Sequence, residues 1–193
     1  MKKPVTVALN WMCIPWRPHD DETWLKDIFP RLEAKGFTRE QLQRSVYVIR
    51  LNGNFTIQYP KQDSPVVYIG EGTFGQRIAS HRKWARKLGH LVEDWSFQIC
   101  VAAPRVKGQV NTYLDCEAAL LQRFGERFGS APLHNLQFER RRFHHHVYSE
   151  RKMDYVLGKR SGSTYHWAIK PLKSSDFYAA YHRTHLAKTS DES

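Results

Sequence analysis

Hydrophobic residues along the chain recur with two different periods, and the change from one period to the other marks the predicted elements. Residues 45–51, 66–70 and 95–103 combine β-branched runs with alternation of apolar and polar positions, which is typical of buried or half-buried strands. Residues 74–88 and 111–128 instead place apolar side chains every three or four positions, which indicates amphipathic helices. The order strand, strand, helix, strand, helix predicts a small α+β core.

The residues before this core carry weaker signals of the same kinds. Residues 5–11, "VTVALNW", alternate between apolar and small or polar side chains and predict a strand. Residues 20–37, "DDETWLKDIFPRLEAKGF", predict a helix that Asp20 or Asp21 caps. A short second helix is expected over "TREQLQRS", directly before the first core strand.

The chain of 193 residues has room for one domain, or for a core of about 100 residues with an extension at each end. We predict an N-terminal α/β extension over 1–44, the core over 45–139 and a basic C-terminal extension over 140–193. Hydrophobic residues make up 41% of the chain and charged residues 25%, as is ordinary for a globular protein. Only the tail after about Leu186 is expected to be disordered.

Charge changes this picture, because the net charge of +11 is concentrated in two stretches. Residues 74–88 contain five basic and no acidic side chains, and residues 140–173 contain nine basic and two acidic ones. Clustered positive charge is typical of proteins that contact the phosphates of a nucleic acid. The alternative is a basic surface that only keeps the protein soluble. Binding to an anionic membrane is disfavoured, because neither stretch has the clean apolar face of a membrane-surface helix.

The candidate nucleic-acid contacts are the basic residues of these two stretches. They are Arg82, Lys83, Arg86, Lys87, Arg140, Arg141, Arg142, Lys159 and Arg160.

The segment "RRRFHHHVY", residues 140–148, leaves three interpretations open: a nucleic-acid contact arm, a solvated basic edge and a structural zinc site. Successive side chains of a strand point to opposite faces, so three consecutive histidines cannot all bind one ion.

Three cysteines, Cys13, Cys100 and Cys116, form no CxxC pair and are odd in number. They predict free thiols in a reducing compartment. The first residues show no signal peptide, and no stretch approaches the eighteen or so apolar residues of a membrane span. We therefore expect a cytoplasmic protein without a membrane partner.

Three polar side chains fall on the apolar faces of the two core helices. On a helical wheel His81 lies within the stripe of the first helix and Arg77 lies beside it, while Glu117 lies within the stripe of the second. A buried carboxylate is costly unless it is paired or binds a cation. An ion pair between Glu117 and Arg77 and a shared phosphate and cation pocket both remain open at this point.

An ordered set of six residues resembles the motifs of the GIY-YIG nuclease superfamily over roughly residues 45–137. The set is Tyr47 in "SVYVI", Tyr68 in "VVYIGEG", Arg77 and His81 in "FGQRIASHRKW", Glu117 in "LDCEAALLQRF" and Asn135 in "APLHN". The Arg-x-x-x-His pair is similar to the subset that includes restriction endonucleases. The chain departs from the family at Ser45, where the first motif usually has glycine, and in a longer loop between the two tyrosine motifs.

The resemblance implies an α+β fold with a small central antiparallel three-stranded sheet flanked by helices. It also implies a metal-dependent DNA endonuclease, of restriction type or a related phage or defence nuclease. Two alternatives stay open: a catalytically silent nucleic-acid-binding module, and a nonspecific or structure-specific repair-type nuclease. The expected partner is double-stranded DNA, and a palindromic target would call for a symmetric homo-oligomer.

The resemblance also implies a role for each residue of the set. Glu117 would bind Mg²⁺ or Mn²⁺, since such ions often take only one or two carboxylates together with water and substrate oxygens. Arg77 would hold the scissile phosphate. Tyr47 would be the general base, its phenolate favoured by the positive charges of Arg77, the cation and His81.

The remaining three residues have supporting roles in the same scheme. Tyr68 would hydrogen-bond the nucleophile or the phosphate, His81 would relay a proton or contact phosphate, and Asn135 would orient the site. A packed aromatic ring and a loop-capping amide are the alternative readings for Tyr68 and Asn135.

Overall fold

The computed structural model describes residues 3–52, 55–89, 96–158 and 166–167. The described residues form nine strands: β1 (Val5–Val7), β2 (Met12–Trp16), β3 (Ser45–Asn52), β4 (Phe55–Gln58), β5 (Asp63–Ser64), β6 (Val66–Gly72), β7 (Ser96–Ala102), β8 (His146–Tyr148) and β9 (His166–Trp167). They also form five α-helices: α1 (Phe29–Glu33), α2 (Arg39–Gln43), α3 (Phe74–Gly89), α4 (Thr112–Phe128) and α5 (Glu150–Leu157). The protein is therefore a mixed α+β structure, and the three strands and two helices predicted for the core are confirmed.

The central sheet has four antiparallel strands in the order β2, β7, β3, β6, and not the three strands expected. The extra strand is β2, which pairs with β7 and so adds the N-terminal segment to the core sheet. The strand predicted over 5–11 is shorter, because only β1 forms there and it pairs in parallel with β8 in a separate two-stranded sheet. Strand neighbours are set by tertiary packing, which local alternation does not report.

The N-terminal helix begins later than predicted, so neither Asp20 nor Asp21 caps it. A π-helical turn over Trp24–Ile28 leads into α1, and the Thr23 hydroxyl caps that turn by accepting a hydrogen bond from the Lys26 amide. Asp21 lies outside with φ of 53°, a left-handed conformation that cannot enter a helix. The predicted second helix is confirmed as α2, which Thr38 and Gln41 start with a reciprocal capping box.

Two hydrophobic clusters cover the two faces of the central sheet. One cluster joins the sheet to α4 and α5, with β1 and β8 beside them. The other joins the sheet to α1, α2 and α3. The two long helices, α3 and α4, therefore lie on opposite faces of the sheet, whose last strand is β6.

Cys13 and Cys100 form a disulfide, so the prediction of three free thiols was wrong for two of them. The two residues are direct partners in the register of β2 and β7. Because β2 was not expected to join the sheet, nothing in the sequence placed these cysteines together. Cys116 is a buried free thiol on α4.

The first part of the C-terminal extension is built into the fold. Strand β8 pairs with β1, and buried Arg50 in β3 donates hydrogen bonds to the carbonyls of Tyr155, Val156 and Gly158 at the end of α5. These bonds satisfy carbonyls that a helix end leaves without intrahelical partners. Lys159, Arg160 and the tail after Leu186 lie outside the described residues. Among the helices that the structure describes, none is long and apolar enough to cross a membrane.

Candidate active site

A cleft of about 490 Å³ opens along β6, between the start of α3 and the middle of α4. Four of the six residues singled out in the sequence line this cleft: Tyr68, Arg77, Glu117 and Asn135. Each comes from a different element or loop, so the fold brings together residues that are up to 67 positions apart in the chain. Tyr47 and His81 lie directly behind Tyr68, as the ring contacts below describe.

Tyr47 and His81 form a buried pair behind the cleft. The Tyr47 hydroxyl oxygen lies 2.9 Å from Nε2 of His81, a hydrogen-bonding distance between β3 and α3. Phe74 packs edge-on against the Tyr47 ring, with centroids 4.7 Å apart, and Tyr68 lies 4.7 Å from the His81 ring. The stripe predicted for α3 therefore does carry His81 inward, and Tyr68 separates the pair from the cleft.

Gly70 is required by this packing, although sequence reasoning did not single it out. Gly70 lies directly opposite Tyr47 in the β3 and β6 register. A Cβ at this position would lie 2.5 Å from Cε1 of Tyr68 and 2.8 Å from the Tyr47 hydroxyl oxygen. Only glycine leaves room for both tyrosine rings, which explains the glycine of "YIG" by steric fit.

Glu117 is the most unusual charged group of the cleft. Its side chain is 9% exposed, and among the described residues it forms no ion pair and no hydrogen bond. Burial, together with the neighbouring carboxylates of Glu71 and Glu139, raises the pKa of Glu117 from 4.5 to about 8. The ion pair considered for Arg77 is made elsewhere, because Arg77 faces Glu71 with an N–O distance of 3.5 Å.

The carboxylate of Glu117 is suited to binding a hard cation. A buried carboxylate without a partner, beside two further carboxylates, attracts a cation strongly, and carboxylate oxygen is a ligand that Mg²⁺ prefers. No group of three or more His, Cys, Asp or Glu side chains in the described ranges is arranged to hold a metal ion. Any ion bound here would therefore complete its shell with water and substrate oxygens.

The histidine and the tyrosines differ in charge state from what the sequence suggested. Burial and, to a smaller extent, the nearby positive charge of Arg77 together lower the pKa of His81 to about 4. His81 is therefore neutral at pH 7, and the expectation that it supplies positive charge to Tyr47 was wrong. Burial raises the pKa of Tyr47 well above 10, an effect that Arg77 only partly opposes.

The side-chain amide of Asn135 forms hydrogen bonds with the backbone of β6. Its Oδ1 accepts a hydrogen bond from the Ile69 amide at 2.9 Å, and its Nδ2 donates to the Ile69 carbonyl at 2.7 Å. The His134 amide donates to the Val67 carbonyl on the same edge. These bonds seat the loop after α4 along the free edge of the sheet, where it forms one wall of the cleft.

The basic residues of α3 divide into two groups. Lys83 and Lys87 are exposed. Arg86 donates to the Pro18 carbonyl and pairs with Asp21, so it holds the N-terminal segment against α3. Arg82 is half-buried. Lys83 and Lys87 are consequently the side chains of this set that are most available to a partner.

The three arginines of "RRRFHHHVY" also diverge. Arg140 and Arg142 are exposed and line the cleft. Arg141 points inward, where it donates to the buried carboxylate of Asp115 at 3.0 Å and stacks on the Tyr148 ring. Arg141 therefore anchors this segment to α4 instead of facing a nucleic acid.

The three histidines that follow do not converge on one point. His144 is exposed, while His146 is buried with its Nδ1 3.5 Å from Asp115. The zinc interpretation of this segment finds no support in the described geometry.

No protein-family model, curated protein or solved structure matched the chain. The resemblance to the GIY-YIG superfamily therefore rests on the six sequence positions alone.

Proposed function

We propose that this protein is a metal-dependent endodeoxyribonuclease that hydrolyses phosphodiester bonds, of restriction type or a related phage or defence nuclease. One observation carries the proposal: Glu117, a residue that is 9% exposed, forms no ion pair or hydrogen bond among the described residues and opens onto a cleft that it shares with an exposed arginine and a tyrosine. A carboxylate that only supported the fold would gain from a partner here, and a cleft that only bound nucleic acid would be weakened by its negative charge.

Phosphodiester hydrolysis requires stabilisation of charge on the phosphate oxygens, and two parts of the cleft offer it. Glu117 would hold Mg²⁺ or Mn²⁺, which when bound polarises phosphate oxygens and lowers the pKa of water. The Arg77 guanidinium, 47% exposed, would exchange its long contact with Glu71 for a closer, bidentate contact with the phosphate.

The two tyrosines would act together on the nucleophilic water. Tyr47 is shielded from solvent, whereas Tyr68 lines the cleft and would contact the water directly. We assign Tyr47 the general-base role, and Asn135 fixes the cleft wall. Because Tyr68 lies between Tyr47 and the cleft, Tyr68 would hold the water, and the proton would reach Tyr47 through the Tyr68 hydroxyl, which hydrogen-bonds Tyr47. Because burial raises the pKa of Tyr47, its phenolate would form only when a bound cation adds its positive charge to that of Arg77.

Positive side chains at the rim would bind double-stranded DNA. Arg140 and Arg142 lie at the cleft, and Lys83 and Lys87 are exposed on α3, so these four would follow the phosphate backbone. A palindromic target would be bound by a homo-oligomer with matching symmetry. We assign a cytoplasmic location, where the DNA substrate is found, and the Cys13–Cys100 disulfide would then have to form under reducing conditions.

A catalytically silent nucleic-acid-binding module is the second candidate. The raised pKa of Tyr47 favours it, since a phenol this buried is a poor base until its surroundings change. A silent module would bind DNA with the same basic side chains and would gain nothing from a divalent cation at Glu117.

Plasmid cleavage separates the two candidates. Purified protein is incubated with supercoiled plasmid in Mg²⁺, in Mn²⁺ and in EDTA, alongside Glu117→Gln and the exposed-site control Glu33→Gln. We expect nicking or linearisation by the wild type and by Glu33→Gln in Mg²⁺, and none by Glu117→Gln or in EDTA. DNA binding without cleavage in either cation would support the silent module.

The pattern of products refines the assignment further. Discrete fragments indicate sequence recognition of restriction type, and a smear indicates a nonspecific or structure-specific nuclease. Cleavage by folded Glu117→Gln in saturating Mg²⁺ would refute the metal site while leaving nuclease activity in place.

A further inference from the structure

Trp84 contacts the side of His81 that faces away from Tyr47. Both residues lie on α3, three positions apart, so their side chains are neighbours on one face of the helix. The indole Nε1 of Trp84 lies 3.2 Å from Nδ1 of His81. An indole N–H can only donate a hydrogen bond, so Nδ1 of His81 must accept it and carries no proton.

The other nitrogen of His81 must then hold the single proton of the neutral ring. His81 is neutral at pH 7 because burial and the charge of Arg77 disfavour its protonated form. With Nδ1 bare, the proton is on Nε2, which lies 2.9 Å from the Tyr47 oxygen. The hydrogen bond therefore runs from His81 to Tyr47, and the phenol oxygen is its acceptor.

We infer that Trp84 is a positioning residue that locks His81 in the Nε2–H tautomer, so that His81 donates to the Tyr47 oxygen and does not accept the Tyr47 proton. The tautomer follows from geometry alone, and its consequence for catalysis rests on the nuclease function proposed above. His81 therefore does not relay a proton away from Tyr47. It is a fixed hydrogen-bond donor that favours the phenolate form of Tyr47.

The surroundings of Trp84 hold its indole in place for this contact. Its ring packs edge-on against Phe97 at 5.8 Å and against His134 at 4.5 Å. Arg77 and His134 are the charged or titratable groups that act on His81 besides the two tyrosines. None of these groups donates a hydrogen bond to Nδ1 in place of the indole in the described structure. Substitution of Trp84 alone therefore tests whether the indole fixes the tautomer of His81.

The test compares Trp84→Phe with the matched control Trp16→Phe. Trp84→Phe keeps an aromatic ring on α3 but removes the N–H. Trp16 is buried in the same cluster, 5.6 Å from the Phe97 ring, and its Nε1 has no hydrogen-bond partner in the described part of the chain. The control therefore repeats the loss of an indole without touching His81.

The first readout is the long-range ¹H–¹⁵N spectrum of the histidine rings between pH 6 and 8, with His81 assigned through His81→Gln. We expect the wild type and Trp16→Phe to show a protonated Nε2 and a bare Nδ1 throughout. Trp84→Phe should show a mixture of the two tautomers. A wild-type His81 protonated at Nδ1, or an unchanged spectrum in Trp84→Phe, would overturn the inference.

The second readout is cleavage by the same folded variants, checked by circular dichroism and thermal unfolding. We expect kcat to fall roughly tenfold in Trp84→Phe, as for the loss of one hydrogen bond that acts on the base, with KM little changed. Trp16→Phe should cleave at close to the wild-type rate. An unchanged kcat in a Trp84→Phe protein with altered tautomers would refute the link to Tyr47. If the wild type cleaves no DNA, the proposed function fails and the spectrum still decides the tautomer.

Discussion

Glu117→Gln should stabilise the cation-free protein, and the gain should grow with pH. The carboxylate has a pKa of about 8 in the folded chain against an ordinary value of 4.5. Because the folded value is the higher one, the unfolded chain releases this proton first as pH rises. Stability contributed by Glu117 is therefore full below about pH 4.5 and is lost as pH rises to about 8.

The size of the gain follows from the difference between the two pKa values. At about 1.4 kcal/mol per pH unit, the interval from 4.5 to about 8 sets a ceiling of about 5 kcal/mol. Glu117 faces an open cleft where water and salt screen its charge, so we expect about 2 kcal/mol. Glutamine has the same shape and does not titrate, so at pH 9 it avoids the whole of this cost.

Urea unfolding of the wild type, Glu117→Gln and Glu33→Gln at pH 5 to 9 in EDTA measures the effect. Glu33 is exposed, so Glu33→Gln should change the free energy of unfolding little. Adding Mg²⁺ at pH 9 should then stabilise the wild type but not Glu117→Gln, because a ligand of the folded state raises its stability. A Glu117→Gln protein no more stable than the wild type at pH 9 would show that Glu117 is paired or solvated, and the reasoning would fail.

Three further variants, one of them a double substitution, test other parts of the site. Tyr47→Phe removes only a hydroxyl, so turnover should be lost while DNA affinity is retained, and retained turnover would move the base elsewhere. Lys83→Gln with Lys87→Gln should lower the slope of log affinity against log salt by up to about two, and an unchanged slope would place the DNA elsewhere. Gly70→Ala should displace the tyrosine rings at a cost of about 1–3 kcal/mol, measured by thermal unfolding and near-ultraviolet circular dichroism.

Local sequence patterns were enough to predict the order of the core elements and the helix faces that turn inward. Alternation and helical periodicity are local properties, so they predicted β3, β6, β7, α3 and α4 where the structure has them. The inward positions of His81 and Glu117 followed from the same periodicity. The sequence also indicated that Glu117 needs a partner, because burying a carboxylate on the apolar face of a helix costs free energy in any fold.

Which strands pair and which charges meet depends on packing between distant parts of the chain. The pairing of β2 with β7 joins Cys13 to Cys100, and no local pattern relates two residues 87 positions apart. The inward turn of Arg141 toward Asp115 likewise depends on how the chain after α4 folds back on that helix. Charge clusters in a sequence therefore identify basic segments, but packing selects which of their side chains remain free.

The protonation, the tautomer and the steric fit of the site residues could not be predicted from the sequence either. His81 is neutral because the fold buries it beside Arg77, and its proton sits on Nε2 because Trp84 donates to its other nitrogen. The need for Gly70 arises because β6 brings it against two tyrosine rings. Protonation, tautomer and steric fit depend on distances of a few ångströms between residues far apart in the chain, and only the packed structure sets those distances.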